Sequence, residues 1–473
     1  MEALNRMICQ ANDFVWGWPL VILLLGVGIL LTVRLAFVQL VQLPRALRFM
    51  FRSEKTDSGE VSSFGALCTA LSATVGTGNI VGVATAVTAG GPGAVFWMWI
   101  AAFFGMATKF AEGQLAVKYR TVHPDGRVLG GPFYYIERGM GMRWRFLARL
   151  FALFGAAAAL MGIGTFAQIN SITSAVENVF DRDAATLLAF GPVQCSLAAA
   201  VAGIVVTLAA AGVILGGLKR IALVSKIIVP LMICVYLLLI TVILAVNFHA
   251  IPDALRQIFI GAFSPGGITG GAVGSVFLVM QKGIARGIFS NESGLGSAPI
   301  VAAAAQTRYP TRQGLVSMTG TFIDTIIICT MTGLAIVVTS SWNKGLSGVH
   351  VTVDSFERGL PFLPSGTVAV LLMLCIVFFA FTTCLGWSYY GERCLDYLAG
   401  GKTSAIYGYR FLYITAIFLA PWLPLEIIWN TADIFNGLMA IPNLIALICL
   451  SGITVAEAKR YFTEQAKNES EST

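Results

Sequence analysis

The chain has 473 residues, of which 57% are hydrophobic and only 12% are charged. Soluble domains carry about 25% charged residues, so this composition excludes an ordinary soluble protein and indicates an integral membrane protein. The net charge of +7 does not indicate a nucleic-acid partner, because the basic residues lie in short connections between long apolar runs.

About eleven apolar runs approach or exceed the ~20 residues that a helix needs to cross a bilayer. The predicted membrane spans are residues 14–38, 63–89, 94–117, 150–176, 193–215, 221–247, a run that begins near 268, 314–338, 366–390, 403–423 and 427–450. The sequence therefore predicts an all-α polytopic membrane protein with one transmembrane domain over residues 1–473 and a short polar tail at 455–473. The first run is too long for the apolar core of a signal peptide, so we interpret it as a retained span.

The strongly basic connections predict the orientation of the chain. The segments 45–55 and 118–149 fall on the same side of the membrane if each apolar run crosses it once. Short loops that are rich in Lys and Arg remain in the cytoplasm. We therefore expect a multi-pass protein of a bacterial inner membrane, with its N-terminus outside and its C-terminus in the cytoplasm.

The second span contains the sequence Ser72-Ala-Thr-Val-Gly-Thr-Gly-Asn-Ile-Val-Gly82, which suits a continuous helix poorly. Gly76 and Gly78 are each about 1 kcal/mol less favourable in a helix than Ala, and Thr77 and Asn79 compete for backbone hydrogen bonds. A broken helix is tolerated in a bilayer only where its backbone is buried in protein or faces a water-filled cavity. Its free amides suit a carboxylate and its free carbonyls suit a cation. The alternative is a continuous helix whose small residues pack tightly against a neighbouring helix.

The seventh span is also interrupted. Its interruptions are the glycines Gly270, Gly271, Gly274, Gly283 and Gly287 and the polar residues Gln281, Lys282 and Arg286. Two interrupted spans that lie five apart predict an inverted-repeat transporter with its site near the middle of the membrane. We place one repeat at 63–247 and the other at 268–450, with 14–38 as an extra N-terminal helix.

Several charged residues lie where hydrocarbon is expected. Asp324 in the eighth span indicates a functional or paired role, with Lys282 and Arg286 as candidate partners and a structural ion pair as an equal alternative. Glu292, at the inner end of the seventh span, is a candidate gate residue. Lys109 and Glu112 are three positions apart on one helix face, so we expect a local ion pair between them.

Enzymatic functions fit the sequence poorly. The three histidines, at positions 123, 249 and 350, fall in predicted loops, which argues against a His-dependent catalytic or metal site in the membrane. The motif Gly76-x-Gly78 lacks the glycine spacing and the preceding strand of a nucleotide-binding loop. A channel is the alternative from a different class, because glycine-rich spans can line pores. Two interrupted spans in antiparallel repeats favour a transporter with alternating access, without enzymatic activity or an organic cofactor.

Several motifs, in order along most of the chain, resemble those of the alanine or glycine:cation symporter family. They are Ser72–Gly82, Gly90-Gly-Pro-Gly93, Lys109-Phe-Ala-Glu112, Gly131-Pro-Phe-Tyr-Tyr135, Arg286-Gly-Ile-Phe-Ser-Asn-Glu292 and Gly294-Leu-Gly-Ser-Ala-Pro299. The resemblance implies a LeuT-like, five-plus-five inverted-repeat fold with two discontinuous helices. It also implies a small neutral amino acid, alanine or glycine, as substrate and Na⁺, or less often H⁺, as coupling ion.

The resemblance implies a substrate site at the first interrupted helix. The amides of Thr77 and Gly78 would hold the substrate carboxylate, and the carbonyl of Thr74 would accept from its amine. The side chain of Asn79 would contact the amine or a cation. The candidate residues of the pocket walls are Gln168, Phe277 and Gln281. Judged from the residues alone, Gln168 is equally compatible with a hydrogen bond between helices.

The resemblance implies a cation site as well. Thr382 and Thr383 resemble an adjacent hydroxyl pair that, with carbonyls equivalent to those of Ser72 and Val75, binds Na⁺. Judged from the residues alone, the two hydroxyls suit hydrogen bonds to their own helix. Proton coupling through Asp324 or Glu292 is the alternative for the coupling ion.

Overall fold

The computed structural model describes residues 2–471 with the exception of 53, 55–58, 123–126, 182–186, 191–192, 264–275 and 423–424. The predicted start of the seventh span, with Gly270, Gly271 and Gly274, lies outside the described residues, and so does His123.

The described residues are mostly α-helical. In chain order the helices are α1 Glu2–Val15, α2 Trp18–Arg34, α3 Val38–Val41, α4 Leu43–Phe51, α5 Ser63–Thr74, α6 Val83–Gly90, α7 Gly93–Lys118, α8 Pro132–Tyr135, α9 Arg145–Met161, α10 Phe166–Phe180, α11 Leu197–Ile214, α12 Gly217–Val246, α13 Ile251–Phe263, α14 Val276–Asn291, α15 Ala298–Ala302, α16 Pro310–Thr321, α17 Thr330–Val338, α18 Val349–Gly359, α19 Ser365–Leu398, α20 Thr403–Leu419 and α21 Leu425–Glu471.

Shorter elements connect or extend these helices. The π-helical segments are Gly78–Gly82, Ile136–Met140 and Phe322–Cys329, and the 3₁₀ segments are Met142–Trp144, Phe248–Ala250, Ser341–Asn343 and Ala420–Trp422. Two antiparallel hairpins pair β1 Thr121–Val122 with β2 Val128–Leu129 and β3 Leu187–Phe190 with β4 Val193–Ser196. The segment Phe322–Cys329 joins α16 to α17 without a break, so the three elements form one span.

Eight helical segments of the described chain are long and apolar enough to cross a membrane. A ninth candidate consists of α5 and the helix that follows it, which are bent by 52° at a break. Because α20 has only 17 residues and α14 begins beside the undescribed segment 264–275, the count of eleven and the inverted repeat remain predictions. The segment predicted as a polar tail is the end of α21, which continues to Glu471.

The interior of the bundle is built around α7, while α11 and α12 face outward. Leu208 of α11 and Ile227 of α12 are 69% and 64% exposed, as expected for side chains that contact lipid. The second half of α7 is buried almost continuously, and the helix packs on α2, α13, α14 and α16. Without a hydrophobic driving force between helices in lipid, such packing depends on small residues that let backbones approach.

The contact between α7 and α13 gives a test of this packing. A Cβ added to Gly93 would overlap the backbone of Gly261 and Ala262, so we expect Gly93→Ala to destabilise the fold by about 1–3 kcal/mol. Gly212→Ala in α11 is the matched control, because a Cβ there meets nothing within 4 Å. Thermal unfolding in detergent should show a lower midpoint for Gly93→Ala alone. Equal midpoints for the two variants would contradict the close contact.

The predicted span 150–176 is interrupted, which the sequence analysis did not anticipate. Helix α9 ends at Met161 and α10 begins at Phe166, with non-helical backbone at Gly162 and Thr165. The hydroxyl of Tyr413 donates to the carbonyl of Gly164 over 2.6 Å, which satisfies a carbonyl that the broken helix leaves free. The pair Gly162-x-Gly164 was the available signal for this break.

Candidate functional site

The first predicted break is present between α5 and the π-helical segment Gly78–Gly82. Val75 has extended backbone angles, with φ −79° and ψ 90°. The side chain of Asn79 turns back to this segment, and its Oδ1 accepts from the Gly76 amide over 2.9 Å. Thr77 Oγ1 donates to Gln168 Oε1 of α10 over 3.1 Å. The break is therefore buried in protein and fastened to a neighbouring helix.

The second break lies between α14 and α15, over residues 292–297. The backbone φ angles are +55° at Glu292, +90° at Gly294 and +82° at Gly296. A positive φ at a residue other than glycine costs on the order of 1–2 kcal/mol, so the surrounding structure holds Glu292 in place. Its carboxylate accepts from Trp387 Nε1 over 3.0 Å and from Ser297 Oγ.

Asp324 connects the two broken helices. Its Oδ1 accepts from Asn79 Nδ2 of the first break over 2.7 Å, and its Oδ2 accepts from Ser290 Oγ at the end of α14 over 2.9 Å. Thr325 Oγ1 also donates to Oδ2, over 2.7 Å. The observed partners of Asp324 are therefore neutral donors and not Lys282 or Arg286, the candidate partners predicted from the sequence.

Arg286 faces a different carboxylate, that of Asp433 in α21, with 3.8 Å between Arg286 Nη2 and Asp433 Oδ2. The expected ion pair between Lys109 and Glu112 is not formed either. Among the described residues, neither Lys109 Nζ nor Glu112 Oε2 has a hydrogen-bond partner. Glu112 Oε1 instead accepts from Asn443 Nδ2 over 2.7 Å and from the Gly296 amide over 3.2 Å.

Three of the four residues of the predicted cation site, Ser72, Val75 and Thr383, lie where α5 packs on α19. A Cβ added to Gly386 would lie 2.9 Å from Ser72 Oγ, and one added to Gly76, next to Val75, would overlap Thr383 Oγ1. Thr383 is therefore at the break.

Its neighbour Thr382 points elsewhere. Thr382 Oγ1 donates to the carbonyls of Phe378 and Phe379 over 3.0 Å each and lies 3.6 Å from Met232 Sδ of α12. Thr383 Oγ1 also bonds to its own helix, at the Phe379 carbonyl over 3.0 Å. A hydroxyl that donates to a carbonyl keeps lone pairs for a cation, so only the position of Thr383 combines that capacity with contact to the break.

The structure brings most of the predicted substrate residues together. Thr74, Thr77, Gly78 and Asn79 share the first break, and Gln168 contacts it through Thr77.

Phe277 and Gln281 lie away from both breaks. Phe277 is 64% exposed, with its ring 5.8 Å from that of Trp18, and Gln281 Nε2 donates to the Trp16 carbonyl over 3.2 Å. Both therefore contact the N-terminal helices. Their predicted position near the second break is wrong, because the sequence does not reveal that the seventh helix breaks at residues 292–297.

Two further side chains at the centre were not singled out from the sequence. Ser290 Oγ and Cys329 Sγ are 3.3 Å apart, and Asn79 Nδ2 is 3.3 Å from the same sulfur. Ser290 belongs to the motif Arg286–Glu292, which was the available signal. Cys329 had no such signal, because a cysteine within an apolar span is usually a small buried residue that contributes to packing.

A cavity of about 360 Å³ extends from the first break toward one face of the protein. It begins at Thr77 and Gly78 and reaches Gly348 and His350, at the start of α18. The opposite side is closed by main-chain bonds. The Glu60 amide donates to the Ala304 carbonyl over 2.8 Å, and the Gln306 amide donates to the Val61 carbonyl over 2.7 Å. Within the described residues, the cavity therefore lies on one side of the first break, and these bonds lie on the other.

The chain is similar to known transport proteins over nearly its whole length. The family model described as "Sodium:alanine symporter family" matches residues 1–473. An uncharacterized transporter of Haemophilus influenzae is 53% identical over 461 residues, which cover 97% of this chain and 96% of the relative. The sodium/alanine symporter AgcS of Methanococcus maripaludis is 47% identical over 472 residues, 98% of each chain.

Among solved structures, MhsT in complex with L-phenylalanine matches with a TM-score of 0.52 and 14% identity, over 85% of this chain and 99% of that one. At this identity the likeness concerns the fold alone, and it indicates a LeuT-like arrangement of helices. The match of the family model to every residue and the 47% identity to AgcS lead to one conclusion. The chain belongs to the sodium:alanine symporter family.

Proposed function

We propose that this protein is a secondary symporter that imports a small neutral amino acid, alanine or glycine, together with Na⁺ by alternating access. The observation that carries the proposal is the meeting of two broken helices at Asp324, together with a cavity that reaches the first of them at Thr77 and Gly78. Broken helices offer free backbone amides and carbonyls to a ligand in the middle of a membrane. A cavity closed on the other side suits a carrier rather than a pore.

The first break is suited to an amino acid. The amides at Thr77 and Gly78 would bind the carboxylate, and the carbonyl of Thr74 would accept from the amine. Gln168 fixes one wall through its bond to Thr77. A Cβ added to Gly78 would lie 3.7 Å from the ring of Phe289 and 3.4 Å from Ser290 Cα, so α14 packs closely on this segment. That close wall supports a substrate with a small side chain.

Na⁺ would bind between α5 and α19. The carbonyls of Ser72 and Val75 and the hydroxyl of Thr383 offer oxygen ligands, which hard cations prefer. The hydroxyl of Thr382 belongs to the same proposed set, although its present orientation is toward Met232. A cation held there would fix the first broken helix against α19 and so stabilise the form that is open to the outside. Its release on the cytoplasmic side would allow the substrate to leave.

Proton coupling is the second candidate for the ion, because two buried carboxylates, Asp324 and Glu292, lie at the two breaks. A carboxylate within a membrane span is a frequent proton carrier in transporters. In that case Asp324 or Glu292 would take up the proton in place of Na⁺ binding at Thr383.

Uptake of radiolabelled alanine and glycine into proteoliposomes tests the proposal. An inward Na⁺ gradient and an inward proton gradient are imposed separately, with empty liposomes as the control. We expect accumulation above equilibrium with Na⁺ alone. Accumulation with protons alone would move the coupling to a carboxylate, and equilibration without accumulation under either gradient would overturn the symporter in favour of a passive path.

A further inference from the structure

Lys109 is a buried cation that the proposed transport site does not use. It lies nine positions before Lys118, the last residue of α7, which places it ~14 Å along the helix from that end. It is only 3% exposed, and its Nζ has no hydrogen-bond partner among the described residues. An unpaired charge in such a place is costly, and charged residues inside membrane spans usually serve a function.

Three carboxylates share the field of this ammonium group. The positive charge of Lys109 acts on Glu112, Glu292 and Asp324, each of which is at most 1% exposed. Their hydrogen-bond donors are neutral side chains and a backbone amide. One positive charge therefore faces up to three negative ones in a medium where uncompensated charge is expensive.

A small cavity beside Lys109 connects it with both breaks. A cavity of about 20 Å³ is lined by Lys109, Thr74, Asn291, Gln313 and Ser317, enough for about one water molecule. Gln313 Oε1 is also buried without a hydrogen-bond partner in the described chain. Thr74 is the last residue of α5, so the cavity adjoins the first break, and Asn291 ends α14 beside the second. Lysine, with a flexible stem and a compact charge, suits movement between partners.

We propose that the ammonium group of Lys109 is a tethered counter-ion of the transport site. Its positive charge opposes the binding of the coupling cation near the same carboxylates, and it remains as their compensating charge after the cation has left. Lys109 is a positioning residue, since it acts on the coupling ion through the electric field that it shares with Asp324, Glu292 and Glu112. This inference rests on the proposed function, because it presupposes a coupling cation.

Lys109→Met is expected to raise the apparent affinity for Na⁺ and to slow the return of the empty carrier. We expect the removal of this buried charge to change the affinity for a cation about tenfold, which is equivalent to about 1.4 kcal/mol. The first measurement is Na⁺-dependent thermal stabilisation of the purified protein without substrate, where half-saturation should fall about tenfold. The second compares net uptake with exchange in proteoliposomes, where net uptake should fall about tenfold while exchange is retained.

Two controls separate this role from a structural one. Lys118→Met removes a lysine of the same helix that pairs with Glu457 over 2.5 Å and is 30% exposed, and it should leave Na⁺ half-saturation unchanged. Lys109→Arg keeps the charge, so its Na⁺ half-saturation should lie within about threefold of the wild type, even where the larger guanidinium lowers thermal stability. If Lys109→Met does not fold, the double variant Lys109→Met/Glu112→Gln removes one charge of each sign, and its half-saturation should lie within about threefold of the wild type.

The two proposals fail in different ways. If the wild type responds to Na⁺ but a folded Lys109→Met variant binds Na⁺ with wild-type or weaker affinity, the counter-ion proposal alone is overturned. A Na⁺ half-saturation shifted by tenfold or more in the double variant Lys109→Met/Glu112→Gln also overturns the counter-ion proposal. If the wild type neither binds Na⁺ nor uses a Na⁺ gradient, the proposed function is overturned. The counter-ion proposal, which rests on it, then falls as well.

Discussion

Replacement of Asp324 by asparagine should reduce Na⁺-driven uptake about 100-fold or more, equivalent to about 2.7 kcal/mol. The Asp324 carboxylate accepts from Asn79, Ser290 and Thr325, so all three of these partners are donors. Asparagine replaces one acceptor oxygen with an NH₂ group that faces a donor, and it removes the charge. Both changes weaken the junction of the two broken helices, and charged acceptors form the stronger hydrogen bonds.

The experiment compares initial rates of alanine uptake and the amount of folded, monodisperse protein for the same preparations. Asp354→Asn is the matched control, since Asp354 pairs with Lys344 and Arg358 in partly exposed ion pairs, and such pairs contribute about 0–1 kcal/mol. Asp324→Asn with at least half of the wild-type rate would contradict a role for the carboxylate in transport.

Gly76→Ala is the second substitution with a large expected effect, a loss of Na⁺-driven uptake of about 100-fold. The added methyl group would overlap Thr383 Oγ1, and relief of such overlap by backbone shifts costs about 1–3 kcal/mol. The shift would separate α5 from α19 at the proposed Na⁺ site. Gly82→Ala is the matched control in the same broken span, because a Cβ at Gly82 meets nothing within 4 Å.

The double variant Gly76→Ala/Thr383→Ala distinguishes the steric effect from the loss of a ligand. Removal of the Thr383 hydroxyl relieves the overlap, so thermal stability should return toward the wild type. Na⁺ half-saturation should remain at least about tenfold higher than in the wild type, because one oxygen ligand is lost. Thr382→Ala alone should have a smaller effect on half-saturation than Thr383→Ala. If Thr382→Ala and Thr383→Ala change Na⁺ half-saturation equally, Thr383 can no longer be preferred to Thr382 as the ligand of the cation.

The sequence was most informative where a single physical constraint dominates. Long apolar runs predicted the candidate spans because a bilayer demands length and hydropathy, and Gly76-x-Gly78 predicted the first break because glycine weakens a helix. The family, inferred from motifs such as Arg286–Glu292, is confirmed by the match over the whole chain. The LeuT-like fold is supported by the likeness to MhsT.

Features that depend on tertiary packing were harder to predict. Many glycines of the seventh span resemble one another in sequence, but the break occurs where Gly294 and Gly296 adopt positive φ. For the same reason Phe277 and Gln281 were assigned to a break from which they are remote. The ionic partners of Asp324 were predicted from opposite charge in the neighbouring seventh span, whereas Asp324 accepts hydrogen bonds from neutral groups that come from three different elements.

The closed face of the protein has a consequence for how the sequence can diverge. Its bonds join Glu60 and Val61 to Ala304 and Gln306 through main-chain atoms. Main-chain bonds set few requirements on side-chain identity, apart from excluding proline where an amide donates. Side-chain identity at these positions is instead constrained by other contacts, since Glu60 Oε1 accepts from the Val128 amide over 2.6 Å and Ala304 is fully buried. An alignment of relatives would therefore report those contacts and not the main-chain bonds, which the proposed transport cycle has to open.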